Sequence, residues 1–530
     1  MPGSGNAAAT DLADNGAAHV PVRVNGSTLD WFLVVVFMAA LAAATIFLCV
    51  TVTQPILEAF GFRQAQTALT TYWFLREGYE LAYQTPVLGY PWAVPFELPL
   101  FQATVAAIAS FLPFSLDSIG RTVSFGFFLA TLVPIAAICR TLGLGGRVFF
   151  VFGSLYLLSP QYLFWGRTFM IESAATFFSV ATVATALPLF FAAPVSAWRA
   201  AAVMVLGSLA MTVKVTTMLP VLAVLTAAIA VASFSYWRKN QDAYARKFIM
   251  RSVLLAVPVL VALAWTHFTD VVKMQNEFGK LITSSALHDW NFGEMRERVS
   301  KELFADVIWT RSFKANAGGI LGVAIIGFFL IDARRTRLWI GLCLLALFLL
   351  PLFVFTHLHI FHSYYQSANI IYLVLLLAVA LVYVAEHASG RLFAVIFALV
   401  LLWNVAIISK DVLQIARRDI SLENNVVLAA ANVVREQSPA DKPILVYGHD
   451  WSSELPYYAQ RKALAVPDWY NDFEDPLRAP QRYFGGSGIG ALVICGGLRT
   501  PAEEAVQRFL TTHGSFRAAS TASCRIFISS

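Results

Sequence analysis

Four short stretches of this 530-residue chain place charged and hydrogen-bonding residues in apolar surroundings. Between positions 52 and 121 stand Glu58, Arg63, Gln64, Gln66, Arg76, Glu77 and Glu97. Further on come Gly166-Arg167-Thr168 with Glu172 shortly behind, and then Lys214, followed by Thr216, Thr217 and Pro220. The last stretch holds His357, His359, His362, Tyr364 and Tyr365, ahead of Gln366. An ionisable group near the end of an apolar helix is costly unless something pairs with it, so each stretch is a functional candidate. Arginine grips phosphate oxygens through a two-pronged fork and lysine acts as a point charge. A carboxylate beside them can take the proton of an incoming hydroxyl. Together these residue types suit the binding of an anion anchored in a membrane.

Each stretch also has a plainer reading. Arg76 and Glu77 fit a solvated helix face, and Lys214 fits a lysine snorkelling to the interface. His357, His359 and Tyr364 fit interfacial anchors. Arg167 with Glu172 fits a structural ion pair. Three histidines could ligate a metal, but no acidic partner stands at a fixed spacing from them, so no metal or other cofactor is assigned.

The elements that must position these residues follow from composition. With 58% hydrophobic and 13% charged residues and a mean hydropathy of +0.66, most of the chain requires lipid as its solvent. Apolar runs occur at Trp31–Thr51, Thr122–Ile138, Val148–Trp165, Ser173–Ala192, Ala200–Val213 and Pro220–Phe234. Five more follow at Val253–Phe268, Ile320–Ile331, Leu338–Phe355, Asn369–Val384 and Leu392–Ile408. The expectation is a polytopic α-helical membrane protein with about 11 spanning helices, and up to about 13 if further segments cross. The first run lacks a small-residue cleavage pattern and reads as a retained helix. The net charge of +6 resides in short loops, so it marks orientation rather than nucleic-acid binding.

The most basic short loop, Trp237 to Arg251, is assigned to the cytoplasm by the positive-inside rule. Counting outward puts the basic turns Asp332–Arg337, Glu386–Arg391, Gly143–Arg147 and Ser196–Arg199 on the same side. The loops 52–121 and 269–319, the stretches 166–172 and 357–366, and everything beyond Lys410 then lie outside. All four polar stretches thus share the extracytoplasmic face. Ala93 to Phe114 is apolar enough to cross, yet a crossing there would invert every later loop, so it reads as a re-entrant or juxtamembrane element. Residues 1–30 read as a disordered cytoplasmic terminus, 31–410 as the membrane domain, and 411–530 as an extracytoplasmic α/β domain. In the last, Asn424–Gln437 has helical periodicity, and Pro443–Tyr447, Ala491–Cys495 and Cys524–Ile528 read as strands. Gly485, Gly486, Gly488 and Gly490 mark a turn; no Lys-Ser/Thr follows to make it a phosphate loop. Cys495 and Cys524 sit on expected strands on the oxidising side, which allows a disulfide between them.

The order of motifs resembles a family. Phe62-Arg63-Gln64-Ala65-Gln66-Thr67-Ala68 followed by Phe96-Glu97-Leu98-Pro99-Leu100 is similar to the bacterial GT-C glycosyltransferases. The branch in question is related to dolichyl-phosphate-mannose protein mannosyltransferases and lipid A aminoarabinose transferases. Trp165 to Glu172 resembles its Arg-Thr-x-x-x-Asp/Glu segment, Lys214-Val215-Thr216 its Lys-x-Thr position, and His362 to Gln366 its late His-x-Tyr-Tyr motif. The resemblance spans roughly residues 31–410. It implies a bacterial inner-membrane enzyme moving a hexosyl or pentosyl group, with inversion, from a polyprenyl-phosphate donor to an extracytoplasmic glycan, lipid or protein. By that resemblance Arg63, Arg167 and Lys214 would hold the leaving phosphate, helped by His362 and Tyr365, with Gln64, Gln66 and Gln366 positioning substrate. Glu97, Glu172 or Glu58 would deprotonate the acceptor. The family's first outside loop begins with an aspartate; Arg63 and Gln64 stand there instead, which leaves the base open among those three. A transporter or flippase of lipid-linked saccharides, or an envelope-assembly scaffold, is the competing reading. The first needs polar groups along a path through the membrane, and the second leaves Arg167, Glu172 and Lys214 without a purpose.

Overall fold

The computed structural model describes residues 28–190, 196–240, 242–498, 500–513 and 516–529. The expected disorder of the amino terminus falls on residues 1–27, outside that set. Among the described residues, eight helices are long and apolar enough to cross a membrane, or nine if one bent pair is a single span. The chain is a multi-pass membrane protein. Every expected run contains a helix, but three helices are shorter than a bilayer. The run at 148–165 divides at Ser159-Pro160: Gly145–Leu157 ends, Ser159 caps the next helix through Tyr162 N–H, and Pro160 opens Pro160–Trp165. Ala197–Val213 stops one residue before Val215–Trp237 begins. Gly319–Asp332 meets Glu302–Lys314 at 85°. The ambiguous segment at 93–114 holds only the ten-residue helix Leu100–Ala109, about 15 Å long and half the hydrocarbon thickness.

Packing follows from which faces are apolar. Ile370–His387 is buried at every residue from Ile370 to Tyr383, so it forms the bundle's core. Ile249–Lys273 leaves Val253, Leu260 and Leu263 uncovered, as a lipid-facing helix should.

Beyond residue 416 the chain builds a five-stranded sheet in the order β2-β1-β3-β5-β4. The strands are β1 (Ile444–Tyr447), β2 (Ala463–Val466), β3 (Ala491–Cys495), β4 (Phe516–Ser520) and β5 (Cys524–Ser529). β1 runs parallel to β2 and β3, while β5 is antiparallel to β3 and β4. Cys495 and Cys524 are register partners across β3 and β5 and are joined by a disulfide. Asn425 caps the helix Val426–Gln437 through Leu428 N–H. The glycine turn from 485 follows the helix Pro480–Phe484, with Gly485 at φ 57° ending that helix.

The segment between the first two spans joins the two parts. Residues 86–89 lie along β2: Ala463 and Ala465 N–H donate to the carbonyls of Pro86 and Val87, and Gly89 N–H donates to Ala463. Asn276 Nδ2 ties down the same segment through the carbonyls of Leu88, Gly89 and Pro91 at 3.0–3.1 Å. Asp117 accepts from the Tyr457 and Tyr458 hydroxyls at 2.5 and 2.9 Å. The first outside segment, which carries Arg63 and Glu97, is therefore tied to the sheet domain.

Candidate functional site

Arg63 lies in the first turn of the helix Gly61–Glu77, which follows the left-handed Phe60 (φ 45°). Its guanidinium pairs with Glu97 and donates to Gln66 Oε1 at 2.5 Å. Glu97 sits on a short non-helical segment gripped from three sides. The Tyr83 hydroxyl donates to the Glu97 carbonyl (2.9 Å) and accepts from Phe96 N–H (2.7 Å). Trp265 Nε1 donates to the Phe96 carbonyl at 3.1 Å, and Leu98 N–H donates to Thr212 at 2.9 Å. Tyr83 is buried, so Tyr83→Phe strands two backbone groups, a loss of about 1–3 kcal/mol. We expect that variant to melt measurably lower than the wild type and to hold Glu97 less firmly.

Lys214 is the single extended residue between Ala197–Val213 and Val215–Trp237. Its ammonium pairs with Glu172 and lies 4.1 Å from the Tyr365 ring centre and 5.2 Å from that of Tyr364, a cation–π arrangement. Glu172 opens the helix Glu172–Ala186, where the helix dipole favours an anion. Glu172 Oε2 and Thr216 Oγ1 have no hydrogen-bond partner among the described residues. Tyr364 and Tyr365 stack at 4.9 Å, His362 stacks on Tyr364 at 5.3 Å, and Phe60 closes against both His362 and Tyr364. The segment from 269 to 319 packs over this edge: Trp290 covers His357 and His362, and Arg311 donates to the carbonyls of His359 and Ile360.

The two ion pairs form one electrostatic unit, since Lys214 acts on Glu97 and Glu172 acts on Arg63. Burial alone would raise the Glu97 carboxyl; Arg63 and Lys214 outweigh it and hold it below the usual carboxylate range. Burial, reinforced by Arg63 and Lys214, brings the His362 imidazole down to about 4. At neutral pH His362 is therefore an uncharged hydrogen-bonding ring rather than a third cation.

Arg167 and Glu58 belong to a second cluster. Glu58 Oε1 accepts from Arg121 Nη1 at 2.7 Å and from Arg167 Nη1 at 3.2 Å. The Arg167 guanidinium lies against the Phe47 and Phe164 rings. Arg121 also donates to the carbonyls of Gln54 and Pro55, and Arg418 donates to that of Glu58. The plainer reading of an Arg167–Glu172 ion pair is not realised, because each has another partner. Arg121, at the boundary of the first outside loop, is the third member of the cluster. Its signal was an arginine inside the apolar helix Leu116–Ala130.

Among the remaining candidates, Gln64 is a strut: Nε2 donates to the Ala59 carbonyl, and Oε1 accepts from Phe169 N–H. Gln366 is buried and donates to the His359 carbonyl at 2.8 Å. Glu77 pairs with Lys462, and Arg76 Nε donates to the Tyr72 hydroxyl. The three histidines do not converge: His357 pairs with Glu297, His359 is enclosed, and His362 faces the cluster. The metal-like grouping among the described residues is His449 with Cys495 and Cys524, whose sulfurs are bound to each other and cannot ligate as thiolates.

No protein-family description matches the chain, and no characterised protein matches it by sequence. Solved structures do share its fold. ArnT from Cupriavidus metallidurans, crystallised with undecaprenyl phosphate, superposes with a TM-score of 0.62 at 13% identity, covering 94% of this chain and 98% of that one. The archaeal oligosaccharyltransferase AglB from Archaeoglobus fulgidus, in complex with an inhibitory peptide and a dolichol-phosphate, gives 0.53 at 13% identity over 94% of this chain and 74% of that one. The mycobacterial arabinofuranosyltransferase AftD gives 0.52 at 15% identity over 93% of this chain and 40% of that one. The fold is GT-C-like, with a small C-terminal sheet domain.

Proposed function

We propose that this protein transfers a sugar from a polyprenyl phosphate to an acceptor hydroxyl, with inversion, on the extracytoplasmic face of a bacterial inner membrane. One observation carries the reading. Four segments distant in sequence bring Arg63, Glu97, Glu172 and Lys214 into a single cluster capped by Tyr364 and Tyr365. That cluster stands in a fold whose solved examples hold undecaprenyl phosphate or dolichol-phosphate. The basic turns support the sidedness, because they oppose the face that carries the sheet domain in the span count.

Without substrate the cluster holds two carboxylates and two cations. A donor phosphate entering it competes with Glu97 for Arg63 and with Glu172 for Lys214. Arg63 offers the fork and Lys214 the point charge. As the bond from the anomeric carbon to the phosphate oxygen breaks, charge grows on that phosphate, and fixed cations there lower the barrier. The same exchange frees Glu97 from its partner. Its carboxylate then becomes a stronger base and takes the acceptor's proton while the hydroxyl oxygen attacks the anomeric carbon.

Exposure supports Glu97 over its rivals. Its side chain is 24% exposed, against 3% for Glu172 and 0% for Glu58. Arg167 is enclosed with Glu58, so in this reading it braces the site rather than touching phosphate. The test is purified protein in lipid given radiolabelled polyprenyl-phosphate sugars and cell-envelope acceptors. Labelled product of inverted configuration is expected. If the protein moves the intact lipid-linked sugar across the bilayer without breaking its phosphate bond, it is a flippase instead.

A further inference from the structure

The helix that presents Arg63 at its start carries a different surface at its end. There Trp73 and Glu77 face Trp92 of the following segment and Asp441, Lys442 and Lys462 of the sheet domain, around a groove of about 380 Å³. Lys462 Nζ bonds Glu77 at 2.8 Å and lies over the rings of Trp73 and Trp92, at 4.8 and 5.8 Å from their centres. Trp73 Nε1 is buried and has no acceptor among the described residues, although a buried indole N–H ordinarily finds one. We propose that this groove binds a neutral oligosaccharide, the acceptor glycan of the transfer reaction.

The chemistry of the lining makes that choice. Sugar rings present flat C–H faces and a rim of hydroxyls. Indole faces suit the first, and carboxylates and ammonium groups suit the second, as hydrogen-bond partners for uncharged hydroxyls. Two acids balance two lysines, so the groove has no charge with which to select an anionic headgroup or a charged peptide. The volume suits a small-molecule fragment of a longer chain. Position adds a further reason. Ten residues of helix separate Trp73 from Arg63, about 15 Å along its axis. A glycan seated at Trp73 and Trp92 can therefore extend back toward Glu97 along one rigid element. The acceptor part of this inference rests on the transfer reading above; the binding of a glycan does not.

The test uses the full-length protein in detergent and a panel of neutral linear glucans, mannans, galactans and arabinans of increasing length. Binding is read by tryptophan fluorescence and by saturation-transfer NMR. The wild type is expected to bind at least one series, more tightly as the chain lengthens. Trp92→Ala is expected to weaken that binding about tenfold, and Trp92→Phe, which keeps an aromatic face, to weaken it less. Both variants should retain the wild-type melting temperature and polyprenyl-phosphate affinity. Lys214→Ala should lose polyprenyl-phosphate affinity yet keep glycan binding, which separates failure of the transfer reading from failure of the groove. If no glycan binds, if Trp92→Ala binds as well as the wild type, or if the groove instead captures anionic vesicles, the proposal is overturned.

Discussion

Glu97→Gln is expected to lower the rate of sugar transfer by about 10²–10⁴-fold, the usual worth of a positioned general base. Donor binding should be kept or tightened, because the nearly isosteric amide no longer competes as an anion with the phosphate for Arg63. Lys214→Ala should act differently. It removes a charge that matters most as the phosphate departs, at a cost of about 10²–10³-fold, and it also weakens donor affinity. The two variants can therefore be told apart by measuring binding and single-turnover transfer separately. The pH profile follows from the same pairing. In the free protein Arg63 and Lys214 hold Glu97 below the usual carboxylate range. The base is ionised above that low value, so the acid limb of kcat/KM should lie below the ordinary carboxylate region. With donor bound and Arg63 engaged by phosphate, the acid limb of kcat should move upward. Transfer by Glu97→Gln at wild-type rates would remove Glu97 from the mechanism.

The largest effect on stability is expected from Glu58→Gln. Its carboxylate pairs with both Arg121 and Arg167, and none of the three side chains is more than 1% exposed. The two guanidiniums outweigh burial and hold the Glu58 carboxyl low. Removing that charge leaves two cations buried, and breaking a buried pair in this way costs about 3–5 kcal/mol. We expect a sharply lower melting temperature in detergent and poor recovery of folded protein. Combining Glu58→Gln with Arg167→Met should restore part of the loss, since one stranded charge is replaced by an apolar side chain of similar length. A Glu58→Gln protein that melts like the wild type but no longer transfers sugar would make Glu58 the base and displace Glu97.

The apolar runs made the helices legible because lipid permits few other backbones. Their ends were less legible: the run at 148–165 concealed a break at Ser159-Pro160, although a serine before a proline is a helix-start signal. β2 and β4 went unread because their sequences, Ala-Leu-Ala-Val and Phe-Arg-Ala-Ala-Ser, carry little β preference and gain their strand form from their neighbours. In the site, residue types pointed to Arg63, Glu97, Glu172 and Lys214, but pairing did not follow from them. Glu172 lies five positions from Arg167 in sequence yet takes Lys214 as its partner, because the turn before it aims Arg167 toward Glu58. Arg121 stands out in sequence as an arginine in an apolar helix, but its pairing with Glu58, 63 residues away, is set by three-dimensional packing.

The one-residue junction at Lys214 has a consequence for how such a chain can change. An α-helix turns about 100° and advances about 1.5 Å with each residue. One residue added to or lost from Ala197–Val213 would swing the ammonium away from Glu172 and Tyr365, while leaving both helices as apolar as before. Altering the length of the junction is therefore expected to disrupt the ion pair even where every side chain is kept. The length of the junction, more than the apolar residues beside it, is what sets the position of the ammonium.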